Sequence, residues 1–174
     1  KTGILNMNHQ ITYLHCGEHL KESLKDEIDE VVSVVDLIQW EEKFKFIKPN
    51  SEEIEHQSAY NKRFEIEFEK LGWEKKPLLN KKPRIIGDFK KDLVFVEVQF
   101  GNSSTLYRDF YKFQYGLQNG LLSLSVLIVP INPKEFFPTR PRSISNMAEY
   151  DLALRFFTIL PISVPTMVIG LMRD

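Results

Sequence analysis

An α/β fold with a mixed central β-sheet flanked by helices is the architecture that the sequence predicts, and two observations support it. Apolar residues recur at helical spacing over much of residues 1–72, whereas residues 83–172 alternate strand-like and helical patterns. The chain has 174 residues, 43% of them hydrophobic, which suits one domain with a sizeable core. We therefore expect a single domain over residues 1–174, with a mainly helical part at 1–72 and an α/β core at 83–172.

Two helices are expected before the core. Residues 18 to about 40 carry apolar side chains at helical spacing, from Leu20 to Ile38. Residues 51–72 show a second helical pattern, and Ser51 is a suitable N-cap residue. The polar run at 48–51 separates the two predicted helices.

The core segments are expected in the order hairpin, helix, strand, helix, strand. The hairpin joins a short strand at 84–88 to a longer one at 93–100 through polar turn residues at 90–92. The remaining segments are a helix at 105–118, a strand at 122–129, a loop at 132–145, a helix at 146–157 and a strand at 165–172. This order is typical of a mixed sheet covered by helices on both sides.

Two carboxylates and an amide are the candidate functional side chains of the hairpin. Period-two alternation over 93–100 places Glu97 and Gln99 on one face of the strand, and Asp88 is expected at the mouth of the hairpin close to Glu97. Neighbouring carboxylates repel each other and favour a hard divalent cation such as Mg²⁺. Gln99 does not titrate, so its candidate roles are orienting water or contacting a phosphate. The alternative is an exposed strand face with Asp88 as a turn residue.

The same segment resembles the active site of a known nuclease family. Asp88 is followed after eight residues by the run Glu97-Val98-Gln99-Phe100-Gly101-Asn102. This arrangement is similar to that of BglII/BstYI-type restriction endonucleases, a branch of the PD-(D/E)xK superfamily in which Gln replaces the usual Lys. The likeness extends more weakly to residues 71–74, 147–150 and 168–171.

The resemblance implies a restriction-endonuclease-like core and a set of roles. Asp88, Glu97 and the Val98 carbonyl would hold Mg²⁺, and Gln99 would take the catalytic Lys position. The expected activity is Mg²⁺-dependent hydrolysis of double-stranded DNA by a type II restriction endonuclease, at a short palindrome with a GATC core. A homodimer and a cognate DNA methyltransferase in the host are expected with it. The alternative is a non-cleaving DNA-binding or DNA-repair protein on the same fold.

DNA contacts are expected from loops and basic patches near the hairpin. A net charge of −1 predicts local basic patches rather than a basic protein. The candidate DNA-binding residues are Lys90 and Lys91 beside Asp88, Asn102, Ser103 and Ser104 after the strand, and Arg140, Arg142 and Ser143 in the later loop. The alternatives are helix capping for the two earlier serines and an ordinary surface loop for the arginines.

The helix at 105–118 carries information about assembly. One apolar stripe contains Leu106, Phe110 and Phe113, and a second stripe of tyrosines lies part of a turn round the helix. A dimer interface is one interpretation of the tyrosine stripe. The alternative is packing of the tyrosines under the N-terminal helices of the same subunit.

Two further interpretations concern metal ligands. His15, Glu18 and His19 fit the pattern H-x-x-E-H of zinc proteases, but Gly17 disfavours a helix there, so surface histidines are the alternative. Glu65 is a candidate for an additional carboxylate ligand of the Mg²⁺ site. The alternative is that it lies on the solvent-exposed face of its helix.

The single cysteine, Cys16, excludes an intramolecular disulfide and fits a reducing compartment. With neither a signal peptide nor an uninterrupted apolar run long enough to span a membrane, the sequence predicts a cytoplasmic protein without membrane contact.

Overall fold

A six-stranded mixed sheet forms the centre of the protein. The computed structural model describes residues 7–140 and 142–173, without the side chains of Met7, Arg142 and Ser143. The strands of the sheet, in spatial order, are β1 (Met7–Leu14), β10 (Thr166–Arg173), β9 (Leu124–Pro130), β8 (Val94–Val98), β7 (Phe89–Lys91) and β4 (Glu74–Lys75). Strands β8, β9 and β10 run parallel, while the other neighbouring pairs are antiparallel. The predicted fold class is confirmed.

Helices cover both faces of this sheet. The helices are α1 (Glu18–Ser23), α2 (Lys25–Leu37), α3 (His56–Lys70), α4 (Thr105–Gln118), α5 (Pro133–Phe136) and α6 (Tyr150–Ile159), and a 3-10 turn spans Arg142–Asn146. On one face, α2 and α3 pack over the side chains of Val94, Val96 and Val98. On the other face, α4 and α6 pack over Phe95 and neighbouring residues of β9 and β10. Alternate residues of β8 therefore face different helical layers.

Two small hairpins complete the fold. Strand β2 (Lys45–Ile47) pairs with β3 (Glu53–Glu55), and β5 (Leu78–Asn80) pairs with β6 (Ile85–Ile86). The second hairpin lies immediately before the site, because only Gly87 separates β6 from Asp88.

The N-terminal part differs from its prediction. It contributes β1 to the central sheet, a strand that the sequence analysis did not predict. The predicted helix at 18–40 is divided at Leu24, whose φ of −114° and ψ of 23° interrupt the helix between α1 and α2. Ser51 is not an N-cap, because it occupies the β2–β3 turn with φ of 64°, and α3 begins at His56. Strand pairing and a Lys45–Glu53 ion pair of 2.7 Å override the local helical pattern there.

Differences in the core are smaller. The first strand of the central hairpin is β7, which contains Lys90 and Lys91, rather than the predicted strand at 84–88, and the turn is made at Asp92 with φ of 48°. Residues 85–86 form β6, which pairs with β5 instead of β8. The loop after β9 contains α5, and the next helix begins at Tyr150 rather than at residue 146.

Candidate active site

The hairpin of β7 and β8 brings Asp88 and Glu97 together. Phe89, the first residue of β7, pairs with Val96, so Asp88 immediately before it lies close to Glu97, the residue after Val96. The Asp88 carboxylate accepts a hydrogen bond of 2.9 Å from the Val98 N–H. The structure thus holds Asp88 at the end of β8, as the sequence predicts.

Glu97 is buried at this point, with 2% of its surface exposed. Its Oε1 forms an ion pair of 2.9 Å with Lys112 Nζ of α4. Burial raises the pKa of Glu97 well above its usual range, the nearby carboxylates of Asp88 and Asp109 raise it further, and Lys112 opposes the shift. A cation placed between Asp88 and Glu97 would relieve this repulsion.

Gly87 allows the close packing beside Glu97. A Cβ at this position would lie 2.0 Å from Cε2 of Phe95 and 3.2 Å from Glu97 Oε1. Only glycine fits here, because the ring of Phe95 is fully buried.

Gln99 lies on the same face as Glu97, as predicted, and both ends of its amide are engaged. Its Nε2 donates a hydrogen bond of 2.5 Å to Asp109 Oδ2, and its Oε1 accepts one of 2.9 Å from the Gly101 N–H. Nε2 carries a second N–H, which leaves one donor for another partner.

Asp109 and Lys112 are site residues that the sequence analysis missed. Asp109 is fully buried, and its Oδ1 lies 3.4 Å from Lys112 Nζ, an ion-pair distance without a well-formed hydrogen bond. Burial raises the pKa of Asp109, and the hydrogen bond from Gln99 opposes this shift. A signal was present, because position 109 lies three residues after Leu106 and four before Phe113, on the apolar stripe of α4.

A cleft of about 260 Å³ opens on the α3 side of the hairpin, and Asp88 and Val98 are among its lining residues. Glu65 also lines it, but Lys62 at 2.6 Å and Lys75 at 3.4 Å pair with its carboxylate. Although burial opposes the change, these two lysines lower the pKa of Glu65. The structure thus places Glu65 beside the site with its charge already balanced.

A second groove, of about 500 Å³, lies on the α4 side of Asp88. Its charged lining consists of Asp88 and the cations Lys76, Arg84, Arg108 and Lys112. Within the described parts of the chain, Lys76, Arg84 and Arg108 make no ion pair of 4.0 Å or less. Lys76 and Asp88 line both clefts, so a continuous, mainly cationic surface passes Asp88.

The donor set at Asp88 and Glu97 fits Mg²⁺ better than a transition metal. Two carboxylates and a backbone carbonyl are hard oxygen ligands, and Mg²⁺ accepts one or two carboxylates while it retains waters. No group of three or more His, Cys, Asp or Glu residues suited to a metal occurs among residues 7–140 and 142–173.

Comparison with known proteins identifies the family. The model of the restriction endonuclease BglII/BglIII family matches residues 9–171, which is nearly the whole chain. The chain belongs to this family.

A solved structure supports the assignment at the level of the fold. The crystal structure of restriction endonuclease BglII complexed with a DNA 16-mer superimposes with a TM-score of 0.76 at 18% sequence identity. The match covers 97% of this chain and 78% of the other. A search of curated protein sequences finds no match. Family and fold together support a DNA-cleaving restriction endonuclease, as the resemblance implied.

The predicted DNA-contacting residues of this BglII-family chain occupy different environments. The Asn102 side chain accepts a hydrogen bond of 2.9 Å from the Ser104 N–H, which stabilises the turn into α4. Ser103 donates its N–H to the Asn146 carbonyl at 2.7 Å. Ser104 occupies the N-cap position of α4 without a side-chain capping bond.

The basic candidates also differ from one another. Lys90 Nζ bonds to the Asp92 carbonyl at 2.6 Å and Lys91 Nζ to Glu30 of α2 at 2.8 Å, so Lys91 joins two layers of the fold. Arg140 donates to Gln57 of α3 at 2.6 Å. The side chains of Arg142 and Ser143 lie outside the described residues.

The loop of Arg140 lies on the same side of α3 as the active-site cleft. Gln57, Asn61 and Glu65 follow one another at intervals of four residues and share one face of the helix. Asn61 and Glu65 line the cleft with Asp88, and Gln57 binds Arg140. About 12 Å of helix separates positions 57 and 65.

The zinc-protease interpretation is not supported. His15 has φ of 51° and lies before α1, which begins at Glu18, so His15 and His19 do not share a helix. Separately, none of the helices in the described ranges is long and apolar enough to cross a lipid bilayer.

Proposed function

We propose that this protein is a Mg²⁺-dependent type II restriction endonuclease that hydrolyses double-stranded DNA at a short palindromic site. The observation that carries the proposal is the placement of Asp88, beside the buried Glu97, in the lining shared by two clefts that also contain lysine and arginine side chains. Such a surface suits a phosphodiester, because cations bind the backbone while carboxylates hold a divalent ion against the scissile bond.

The proposed roles of the site residues follow from their chemistry. Asp88, Glu97 and the Val98 carbonyl hold Mg²⁺, and the second N–H of Gln99 orients water or the scissile phosphate. The bound ion would supply positive charge to the phosphoryl oxygens and acidify a water. Hydrolysis would then proceed with water attacking in line, opposite the leaving 3′-oxygen.

DNA is proposed to run along the surface formed by the two clefts. Lys76, Arg84 and Arg108 contact phosphates, because none of the three forms an ion pair of 4.0 Å or less with a carboxylate of the described residues. Base contacts come from the flanking loops, through Asn102, Ser103 and Ser104 on one side and Arg140, Arg142 and Ser143 on the other, with Lys90 and Lys91 as further basic candidates. A GATC-cored site remains part of the proposal on the family resemblance alone.

A homodimer is proposed to form through the outer surface of α4 and α6. Tyr107 and Tyr111 are 53% and 56% exposed, and the Tyr107 ring lies 4.9 Å from that of Phe156. Helices α2 and α3 pack on the opposite face of the sheet, so these two tyrosines do not pack under them. A two-fold axis through this surface would relate two active sites, as cutting both strands of a palindrome requires.

The test is digestion of plasmid DNA by the purified protein, with and without Mg²⁺. Discrete Mg²⁺-dependent fragments, absent with Glu97→Ala, would support the proposal, and the fragment ends would identify the site. Parallel digestion of adenine-methylated DNA would show whether a cognate methyltransferase could protect the host. We expect the enzyme to act in the cytoplasm. A band shift with intact DNA under every condition would instead favour the non-cleaving DNA-binding protein.

A further inference from the structure

Helix α4 buries two charged side chains against the central sheet. Asp109 is fully buried and Lys112 is 8% exposed, and both lie among the apolar residues through which α4 packs on the sheet. Transfer of a charged group from water to a protein interior is costly unless the group is paired. A pair at these positions therefore needs compensating partners.

The partners are the polar side chains at the end of β8. Lys112 Nζ bridges Glu97 Oε1 at 2.9 Å and Asp109 Oδ1 at 3.4 Å. Asp109 Oδ2 in turn accepts the hydrogen bond of 2.5 Å from Gln99. A continuous chain of contacts runs from Glu97 through Lys112 and Asp109 to Gln99, so one helix holds both polar residues of the strand.

Three carboxylates and two cations, Lys112 and Arg108, surround this chain of contacts. Asp88, Glu97 and Asp109 are close enough to influence one another, and Lys112 is the ammonium that contacts two of them. Lys112 engages Oε1 of Glu97, while Oε2 accepts no hydrogen bond from any described residue. Glu97 is therefore fixed through one oxygen and available through the other.

We propose that Lys112 and Asp109 are positioning residues of the active site. Lys112 fixes the Glu97 carboxylate, and Asp109 orients the Gln99 amide. The inference rests on the proposed function, because it concerns the residues assigned there to Mg²⁺ and phosphate.

Cleavage kinetics separate this role from DNA binding. Lys112→Met is expected to lower the single-turnover rate at saturating DNA and Mg²⁺ roughly 100-fold, while the Kd for DNA without metal changes far less, because Lys112 is only 8% exposed in the groove. Lys112→Arg should recover part of the rate, because a guanidinium also binds carboxylates. Lys48→Met is the control, since it removes an exposed ion pair of 2.8 Å with Glu52, and its rate should equal that of wild type. Cleavage by Lys112→Met at the wild-type rate would overturn the proposal.

Metal binding provides a second readout that does not depend on DNA cleavage. Mn²⁺ affinity is measured without DNA by paramagnetic resonance at the pH of the cleavage assay. Lys112→Met should bind Mn²⁺ more weakly than wild type because the Glu97 carboxylate is no longer held in place, Lys112→Arg should recover part of the affinity, and Lys48→Met should bind as wild type does. Wild-type Mn²⁺ affinity in Lys112→Met would refute the role of Lys112. This titration decides the matter even if the wild-type protein cuts no DNA, which would be a failure of the proposed function instead.

Asp109 has its own pair of variants. Asp109→Asn keeps an oxygen acceptor for Gln99, whereas Asp109→Ala removes it. The asparagine variant should therefore retain a clearly higher cleavage rate than the alanine variant. Equal losses in the two variants would exclude orientation of Gln99 by Asp109. Asp109→Asn and Lys112→Arg keep a polar side chain at the site, and Asp109→Ala introduces a small one. These three variants therefore remain usable if Lys112→Met does not fold.

Discussion

Alanine at Gly87 adds one methyl group at the most tightly packed point of the site. The new Cβ would lie 2.0 Å from Cε2 and 2.2 Å from Cζ of Phe95. The ring cannot swing into solvent, because Phe95 is fully buried and packs edge-on against Phe113 of α4 with centroids 5.8 Å apart. The strand or the helix has to shift instead.

The expected cost is that of an overpacked core, about 1–3 kcal/mol of the free energy of unfolding. For a chain of this size, each kcal/mol lowers Tm by about 2–4 °C. A loss of about 2 kcal/mol would thus lower Tm by about 4–8 °C. The assay is thermal and urea unfolding of Gly87→Ala beside wild type, followed by circular dichroism.

Gly17→Ala is the matched control for this substitution. A Cβ at Gly17 meets no atom within 4 Å, and its φ of −76° is accessible to alanine. Only the weaker N-cap preference of alanine should matter, at less than about 1 kcal/mol. If Gly87→Ala unfolded at the same midpoint as Gly17→Ala, the close packing of Gly87 against Phe95 would be refuted.

Three further predictions concern metal, DNA and assembly. Because the pKa of Glu97 is raised in the folded state, the metal-free protein should lose stability as pH rises through that pKa. The increase in Tm caused by Mg²⁺ should therefore be larger at about pH 8.5 than at about pH 6. An equal increase in Tm at both pH values would contradict this prediction. Arg84→Gln should reduce the slope of log Kd for DNA against log salt by about one, with no change for Lys48→Gln. Tyr107→Asp should convert a dimer into a monomer in light scattering, whereas Leu37→Asp, at an exposed position on α2, should leave the dimer intact.

The second strand of the central hairpin was predictable because its information is local. Alternation over a few residues places Glu97 and Gln99 on one side of β8, and the short distance along the chain places Asp88 beside them. The same applies to the parallel strands β9 and β10, whose continuous apolar sequences indicate burial on both faces.

Strand β1 and the small hairpin of β2 and β3 were missed for a different reason. Strand β1 is stabilised by pairing with β10, a segment distant in sequence, as between His9 and Leu171. The hairpin of β2 and β3 is stabilised by ion pairs across its strands, as between Lys45 and Glu53. Strand preference is governed by such neighbours more than by the residue itself, so the local pattern was ambiguous. The helical spacing at residues 51–55 consequently gave way to strand pairing.

The sequence by itself determined the strand that presents Glu97 and Gln99, the position of Asp88 and the family resemblance. Only the tertiary structure decided which charges surround them: it buried Lys112 against Glu97, joined Asp109 to Gln99 and gathered Lys76, Arg84 and Arg108 along one groove. The physical reason is that a charged residue on a helix or loop is compatible with solvent as well as with a buried partner. The partner becomes known only when α4 packs on the sheet, because that packing removes water and leaves the ion pair as the compensation for burial.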